Sequence, residues 1–219
     1  MDTDGLRYLP DVAIDDHRTS GSGTPDHPMR VATRRAAGLD PAGWTPELRH
    51  DVERYFDALA PEWQARSSPQ RLAVATDALT RGLASVPGRR GLAIEVGSGT
   101  GAYSAMVAAR FGSALSVDLS LDMLRRAPVG TTWRVQADGA RLPVRAAAAA
   151  AVVLINAFLF PEEVARVLAP DGVVVWVTSS GPQSPIYLSV EDVVSRLPGI
   201  WTGVASRAGE GHWCVLRRL

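Results

Sequence analysis

Glu95-Val96-Gly97-Ser98-Gly99-Thr100-Gly101-Ala102 is the stretch whose reading decides the fold. Leu92 to Val96 before it reads as a short buried strand, and Ala102 to Phe111 after it as a helix closed by Gly112. A glycine-rich loop has meaning in this setting, between a strand and a helix. Its glycines permit a tight turn and let a ligand approach the backbone. The helix behind it offers free N–H groups and the positive end of a dipole.

Downstream, strands and helices alternate. Ala114 to Val117 is a strand ending in Asp118, and Ser120 caps a short helix holding Met123 and Leu124. Thr131 to Gln136 is a third strand, with Asp138 just beyond it. Ala151 to Ile155 is a continuous apolar run of the kind parallel sheets bury. Pro161 to Leu168 is a helix, Pro170-Asp171-Gly172 a turn, Val173 to Val177 a fifth strand and Val190 to Leu197 a helix. Trp201 to Leu216 reads as two strands around Arg207 to Gly211, a hairpin whose turn is longer than the two-residue type. The alternation predicts an α/β fold with a doubly wound, mostly parallel sheet. The hairpin adds one antiparallel strand at an edge.

Upstream, Thr45 is a good N-cap with Pro46 and Glu47 in the first helical turn. Leu48, Val52, Tyr55, Phe56 and Leu59 follow at helical spacing until Pro61. A second helix starts from Ser68-Pro69, puts Leu72, Ala75, Leu79, Leu83 and Val86 on one face, and stops at Pro87-Gly88. Residues 1–43 read as a flexible arm, because Thr19 to Pro25 is mostly Ser, Gly, Thr and Pro. Within it, Met29 to Ala37 with Arg30, Arg34 and Arg35 reads as a short helix with a solvated face, in preference to a flap over a substrate. The division expected is thus 1–43 arm, 44–88 helical lid or substrate segment, and 89–219 α/β domain.

The bulk properties constrain function. The 219 residues are 46% hydrophobic and 21% charged, which suits a globular chain. Basic and acidic residues both number 23, so nothing favours a general nucleic-acid binder. The single cysteine, Cys214, excludes an intrachain disulfide and fits a reducing compartment as a small buried residue. Met1-Asp2-Thr3-Asp4-Gly5 lacks the basic-then-apolar order of a signal peptide, and Ala146 to Phe160 is too short to span a bilayer. A cytoplasmic protein is expected.

The loop alone is ambiguous. Gly97, Gly99 and Ala102 also satisfy the G-x-G-x-x-G/A dinucleotide fingerprint, with Asp118 about 20 residues on as a ribose-binding acid. Both NAD and S-adenosylmethionine carry that ribose. Three features favour the sulfur cofactor. Glu95 replaces the usual apolar residue before the loop; it suits an ammonium group and disfavours a pyrophosphate. Asp138, before Leu142-Pro143, is placed to accept a hydrogen bond from an adenine amino group. The chain also closes with a hairpin instead of a second mononucleotide-binding half.

Glu95 to Gly101 resembles the signature loop of class I S-adenosylmethionine-dependent methyltransferases. Ser116-Val117-Asp118-Leu119-Ser120 with Met123-Leu124 resembles their second motif, Ala137 to Pro143 the third, and Val164 to Gly172 the helix and turn before strand five. The resemblance runs from about Gly91 to Leu219 and implies a seven-stranded sheet with an antiparallel last strand. It implies S-adenosyl-L-methionine as cofactor, with Glu95, Gly97, Ser98, Gly99 and Gly101 around its methionine part. It further places Asp118 on the ribose hydroxyls, Leu119 and Met123 on the adenine, and Asp138 with Gly139 at the adenine amino group. Asn156, ending strand four, would face the methyl group or the substrate.

One departure from the family bears on the substrate. Asn156 to Phe160 leads almost at once to Pro161-Glu162-Glu163, where relatives often have a longer substrate-contacting segment. The wall is then expected from elsewhere, such as the N-terminal helices. Tyr55-Phe56-Asp57-Ala58-Leu59-Ala60-Pro61-Glu62-Trp63 resembles the lid helix of small-molecule members. Tyr55 and Trp63 would then close over the site with Arg66 near the cofactor carboxylate, or serve as core packing. Of the histidines, His17 and His27 fall in the arm and His50 on a polar helix face. His212, after the terminal turn, is the better candidate base, although a packed or solvated role is the plainer expectation. No metal site is expected. A small-molecule acceptor leads, ahead of RNA or protein, a non-catalytic cofactor-binding module, or a nicotinamide oxidoreductase.

Overall fold

In the computed structural model, the residues described are 5–14, 24, 26–66, 68–130 and 132–219, the Arg66 side chain excepted. His17, most of the Thr19–Pro25 run and Thr131 lie outside them, as does the proposed place of the Arg66 side chain.

The strands are β1 (Leu6–Tyr8), β2 (Gly91–Val96), β3 (Gly112–Asp118), β4 (Trp133–Gln136), β5 (Ala149–Ile155), β6 (Leu168–Thr178), β7 (Trp201–Ala208) and β8 (Gly211–Arg218). They form one sheet in the order β1-β7-β8-β6-β5-β2-β3-β4. β8 is antiparallel to both β6 and β7, and every other pairing is parallel. The doubly wound α/β sheet is therefore as expected, with three differences. The sheet has eight strands, because β1 pairs with β7 through Leu6↔Gly203, Arg7↔Val204 and Tyr8↔Ala205. The antiparallel strand lies inside the sheet, and the edge beyond β7 belongs to β1. The hairpin turn is the two residues Gly209-Glu210, since Ala208 pairs directly with Gly211.

The helices are α1 (Pro28–Ala36), α2 (Pro46–Leu59), α3 (Pro69–Asp77), α4 (Leu83–Ser85), α5 (Ser104–Phe111), α6 (Leu121–Arg125), α7 (Pro161–Val167) and α8 (Val190–Arg196). Thr45 caps α2 by accepting from the Leu48 N–H at 3.2 Å, with Pro46 in the first turn. Pro61 cannot continue the α2 hydrogen-bond ladder, and a 3-10 turn over Ala60–Arg66 follows. α3 and α4 are joined by a π turn, Ala78–Gly82. Leu72 is 44% exposed, so the buried stripe of this helix begins at Val74 and Ala75.

Strand periodicity divides the core. Ile94 and Val96 face one side with Leu154, Trp176 and Val193, under α7 and α8. Ala93 faces the other with Val107, Phe111, Leu79 and Trp213, under α3, α4 and α5. All seven residues of β5 are buried, which explains its uninterrupted apolar sequence. A third cluster holds Met29 and Ala32 of α1, Val52 of α2 and Ile186. The α1 segment read as a solvated face is thus packed on one side. Arg30 pins it by donating to the carbonyls of Pro182 at 2.7 Å and Ser184 at 2.6 Å. No helix among the described residues is long and apolar enough to cross a membrane.

Candidate active site

The chain leaves β2 for β3 and β4 on one side, then crosses back to β5 and β6 on the other. That reversal opens a crevice at the carboxyl ends of β2 and β5, where open α/β sheets place their ligands. A cavity occupies it.

The glycine loop forms one wall. Gly97 has φ +68° and Gly99 φ +54°, a region that side chains with a Cβ enter at a cost. A Cβ on Gly97 would stand 2.7 Å from the Ala157 Cβ, and one on Gly99 3.3 Å from Trp63 Nε1. Asp118, ending β3, fixes this loop by accepting from the Gly99 N–H at 2.7 Å and the Ser120 N–H at 2.8 Å. Its carboxylate lines the cavity. Burial pushes its pKa up to about 6, against those backbone donors, which favour the charged form.

Leu119, Met123, Ala137, Asp138 and Gly139 continue the wall. Asp138 accepts from the Ala140 N–H at 2.8 Å and from the Trp44 indole N–H at 3.1 Å. Asn156 also lines the cavity, at φ +53°, a conformation asparagine tolerates better than most residues. Its side-chain oxygen accepts from the N–H and hydroxyl of Ser179 at 2.8 and 3.0 Å.

Other residues singled out from the sequence stand back from the cavity. Glu95 is buried beneath the loop, where its carboxylate accepts hydrogen bonds from Ser104 at the start of α5 and from Ser116 at 3.3 Å. Burial raises its pKa to about 7 despite these donors. Ser98 and Gly101 shape the loop without lining the cavity, and the Ser98 hydroxyl is buried with no hydrogen-bond partner. Tyr55 packs between His27 and Phe56, at 6.4 and 5.3 Å between centroids. His212 sits at the cofactor end of β8 against Tyr187, 6.2 Å away, and also off the cavity. Burial, then Arg207, lowers its pKa.

The roof is aromatic. Trp44 and the α2 residue Phe56 lie over the cavity with Trp63 of the 3-10 turn. Phe158 and Phe160 rise to meet them from the short loop after β5. That loop, although brief, contributes two rings to the wall. Trp44, Phe158 and Phe160 escaped notice in the sequence because their neighbourhood exists only after folding.

Residues 94–176 match the family model for a methyltransferase domain. This stretch is similar to methyltransferase domains, and the sheet around it has the class I fold. That class takes its methyl group from S-adenosylmethionine. The structure of a DhpI–SAH complex aligns with a TM-score of 0.64 over 80% of this chain and 98% of the other, at 20% identity. A structure from Methanococcus maripaludis, provisionally described as an S-adenosyl-L-methionine-dependent methyltransferase, aligns at 0.58 over 74% and 93%, at 17% identity. A Haloferax volcanii structure, of a complex between the Trm112 methyltransferase activator and a provisional methyltransferase, aligns at 0.51 over 59% and 61%, at 22% identity. These likenesses are of fold. No curated protein matches the sequence. The methyltransferase domain proper starts within β2 and ends within β6, so β1, α1, α2 and the aromatic roof of residues 44–66 lie outside the matched region.

Proposed function

We propose that this methyltransferase acts on a small organic acceptor held inside the roofed cavity. The observation that carries the reading is the aromatic lining: Trp44, Phe56 and Trp63 wall the cavity at the carboxyl ends of the strands, where a polymer substrate would need a long open groove.

The residues present fit the cofactor. Two glycines in left-handed backbone, Gly97 with no room for a Cβ, give close backbone approach, and the buried Ser98 hydroxyl is left with a hydrogen bond to make. Asp118 would accept hydrogen bonds from both ribose hydroxyls. Leu119 and Met123 would flank the adenine, with Asp138 and Gly139 at its amino group. The Gly97–Gly101 loop would receive the methionine part, with Glu95 supporting it from below and Asn156 at the reacting end. Bound there, the cofactor would supply an activated methyl group. The protein's share is to align the acceptor and exclude water, which can account for most of the rate.

Asp118 ties cofactor affinity to pH. Its carboxyl ionises at about 6, and the ionised form is the acceptor the ribose hydroxyls need. Affinity should be constant above pH 7 and weaken towards tenfold per pH unit as pH falls below about 6, a slope absent from Asp118→Asn. Asp118→Ala removes the ribose acceptor and the anchor of the Gly99 N–H together. It should cost about 1–3 kcal/mol of cofactor binding, read by calorimetry. Unchanged affinity would remove Asp118 from the site.

The deciding experiment is calorimetric titration of the whole chain with S-adenosylmethionine, S-adenosylhomocysteine and NADH. Binding of the two sulfur nucleotides with no heat from NADH, followed by methyl transfer to a small acceptor, is the expected result. Binding of NADH alone would overturn the proposal.

A further inference from the structure

Where α2 meets the sheet it presents two stripes. Val52 and Phe56, one turn apart, line the cavity. Glu53 and Asp57, each one residue further on, do not line it; they hold the segment that leads from β3 through α6 to β4. Glu53 accepts from the Gln136 side-chain amide at 3.1 Å, and that amide also donates to the Leu119 carbonyl at 3.1 Å. Asp57 accepts from the Ser120 hydroxyl at 2.5 Å and from the Asp122 N–H at 3.4 Å. Ser120 is fully buried, and its other polar atoms are engaged as well. Its N–H donates to Asp118 at 2.8 Å, its hydroxyl oxygen accepts from the Met123 N–H at 3.1 Å, and its carbonyl accepts from the Leu124 N–H at 3.3 Å. Asp118 in turn holds the Gly99 N–H. A single chain of hydrogen bonds therefore runs from the glycine loop through Asp118 and Ser120 to a carboxylate on α2.

We propose that Asp57 is a positioning residue for the adenosine end of the cofactor site: by holding Ser120 it fixes the turn that presents Asp118, Leu119 and Met123, and it makes cofactor affinity depend on the docking of α2. This rests on the reading of those three residues as cofactor contacts. Without Asp57 the Ser120 hydroxyl proton loses its acceptor at a site closed to water, which is costly. Ser120 must then turn to find another partner, and its hold on the Met123 N–H goes with it. Asp57 also leaves an electrostatic mark. Two carboxylates face Asp118 among the described residues, Glu95 on β2 and Asp57 on α2. Burial is the first cause of the raised Asp118 pKa, and the Asp57 charge adds to it. Removing that charge lets Asp118 stay ionised to a lower pH.

The test titrates S-adenosylhomocysteine into the whole chain and into its Asp57→Asn and Asp57→Ala variants, from pH 5 to pH 8. Asparagine keeps an oxygen for Ser120 and loses only the charge. At pH 8 its affinity should match the parent's within about threefold, while the fall in affinity on the acid side should begin at a lower pH. Alanine loses the acceptor as well, and affinity at pH 8 should drop about tenfold. Binding of 5′-methylthioadenosine, which lacks the amino-acid part, should weaken by the same factor and so place the effect at the adenosine end. An asparagine profile that lies on the parent's, or alanine affinity within about twofold of it, overturns the positioning role and leaves the cofactor reading standing. If the alanine variant does not fold, the asparagine profile decides alone. Failure of S-adenosylhomocysteine to bind the parent overturns both.

Discussion

Gly99→Val should abolish cofactor binding, by more than a hundredfold in affinity, while the protein still folds. The residue sits at φ +54° on the cavity wall. A left-handed backbone costs a residue with a Cβ about 1–2 kcal/mol, and β-branching makes it worse. The loop can escape that strain only by turning away, which moves the Gly99 N–H off Asp118 at 2.7 Å. If the backbone holds instead, the isopropyl group meets Trp63, already 3.3 Å from where the Cβ would lie. Either response spoils the surface a ligand must approach. The sheet below does not depend on this loop, so the thermal midpoint should fall by only a few degrees. Calorimetry and a melting curve check the two halves separately. Binding within a few fold of the parent would mean that the ligand does not touch this loop.

Trp213→Ala should remove about 3–5 kcal/mol of stability, the range for emptying a large aromatic site. Against a total of about 5–15 kcal/mol, that leaves the fold marginal. Trp213 is fully buried on β8, under the π turn between α3 and α4. Its indole N–H donates to Asp77 at 2.9 Å, and the Arg81 guanidinium lies 5.5 Å from its ring centre. Gly82 packs so tightly on it that a Cβ would stand 2.9 Å from the ring. Asp77 keeps Arg81 as a partner at 2.8 Å after the change, so the loss is of packing more than of charge pairing. Trp213→Phe should cost less than half as much. The difference is read from urea midpoints; a loss below 1 kcal/mol for alanine would show that the helices are not clamped here.

How much was legible in the sequence follows from how local each signal is. The glycine loop, Asp118 and Asp138 were visible because a few consecutive residues fix their geometry: strand end, tight turn, helix start. The sheet was visible because β5 is apolar throughout and alternates with helices. β1 was not visible, since three residues, Leu6–Tyr8, beside Asp11 and Pro10 carry no periodicity and gain their structure only by pairing with β7. The internal place of β8 was equally hidden, because hairpin composition does not say which strand stands outside. The aromatic wall was visible only in part, through Trp63. Trp44, Phe158 and Phe160 come from segments distant from it in sequence, and only the crevice brings them together with it. Glu95 shows a third limit: its type and position were plain, but the sequence did not show it buried against Ser104 and Ser116.

The pairing of β1 with β7 joins residues nearly two hundred positions apart; Thr202 donates its hydroxyl proton to the Gly5 carbonyl, 197 residues away, at 2.7 Å. On a ribosome, the β1 segment leaves the tunnel nearly two hundred residues before the strand that will hold it. Until the β7–β8 hairpin emerges, the nascent chain has its crevice but no fastening for β1. Contacts of such span form late and slowly. Protease sensitivity near Leu6 to Tyr8 should therefore persist in stalled chains that lack β7 and vanish on its release, so β1 reports that β7 and β8 have docked.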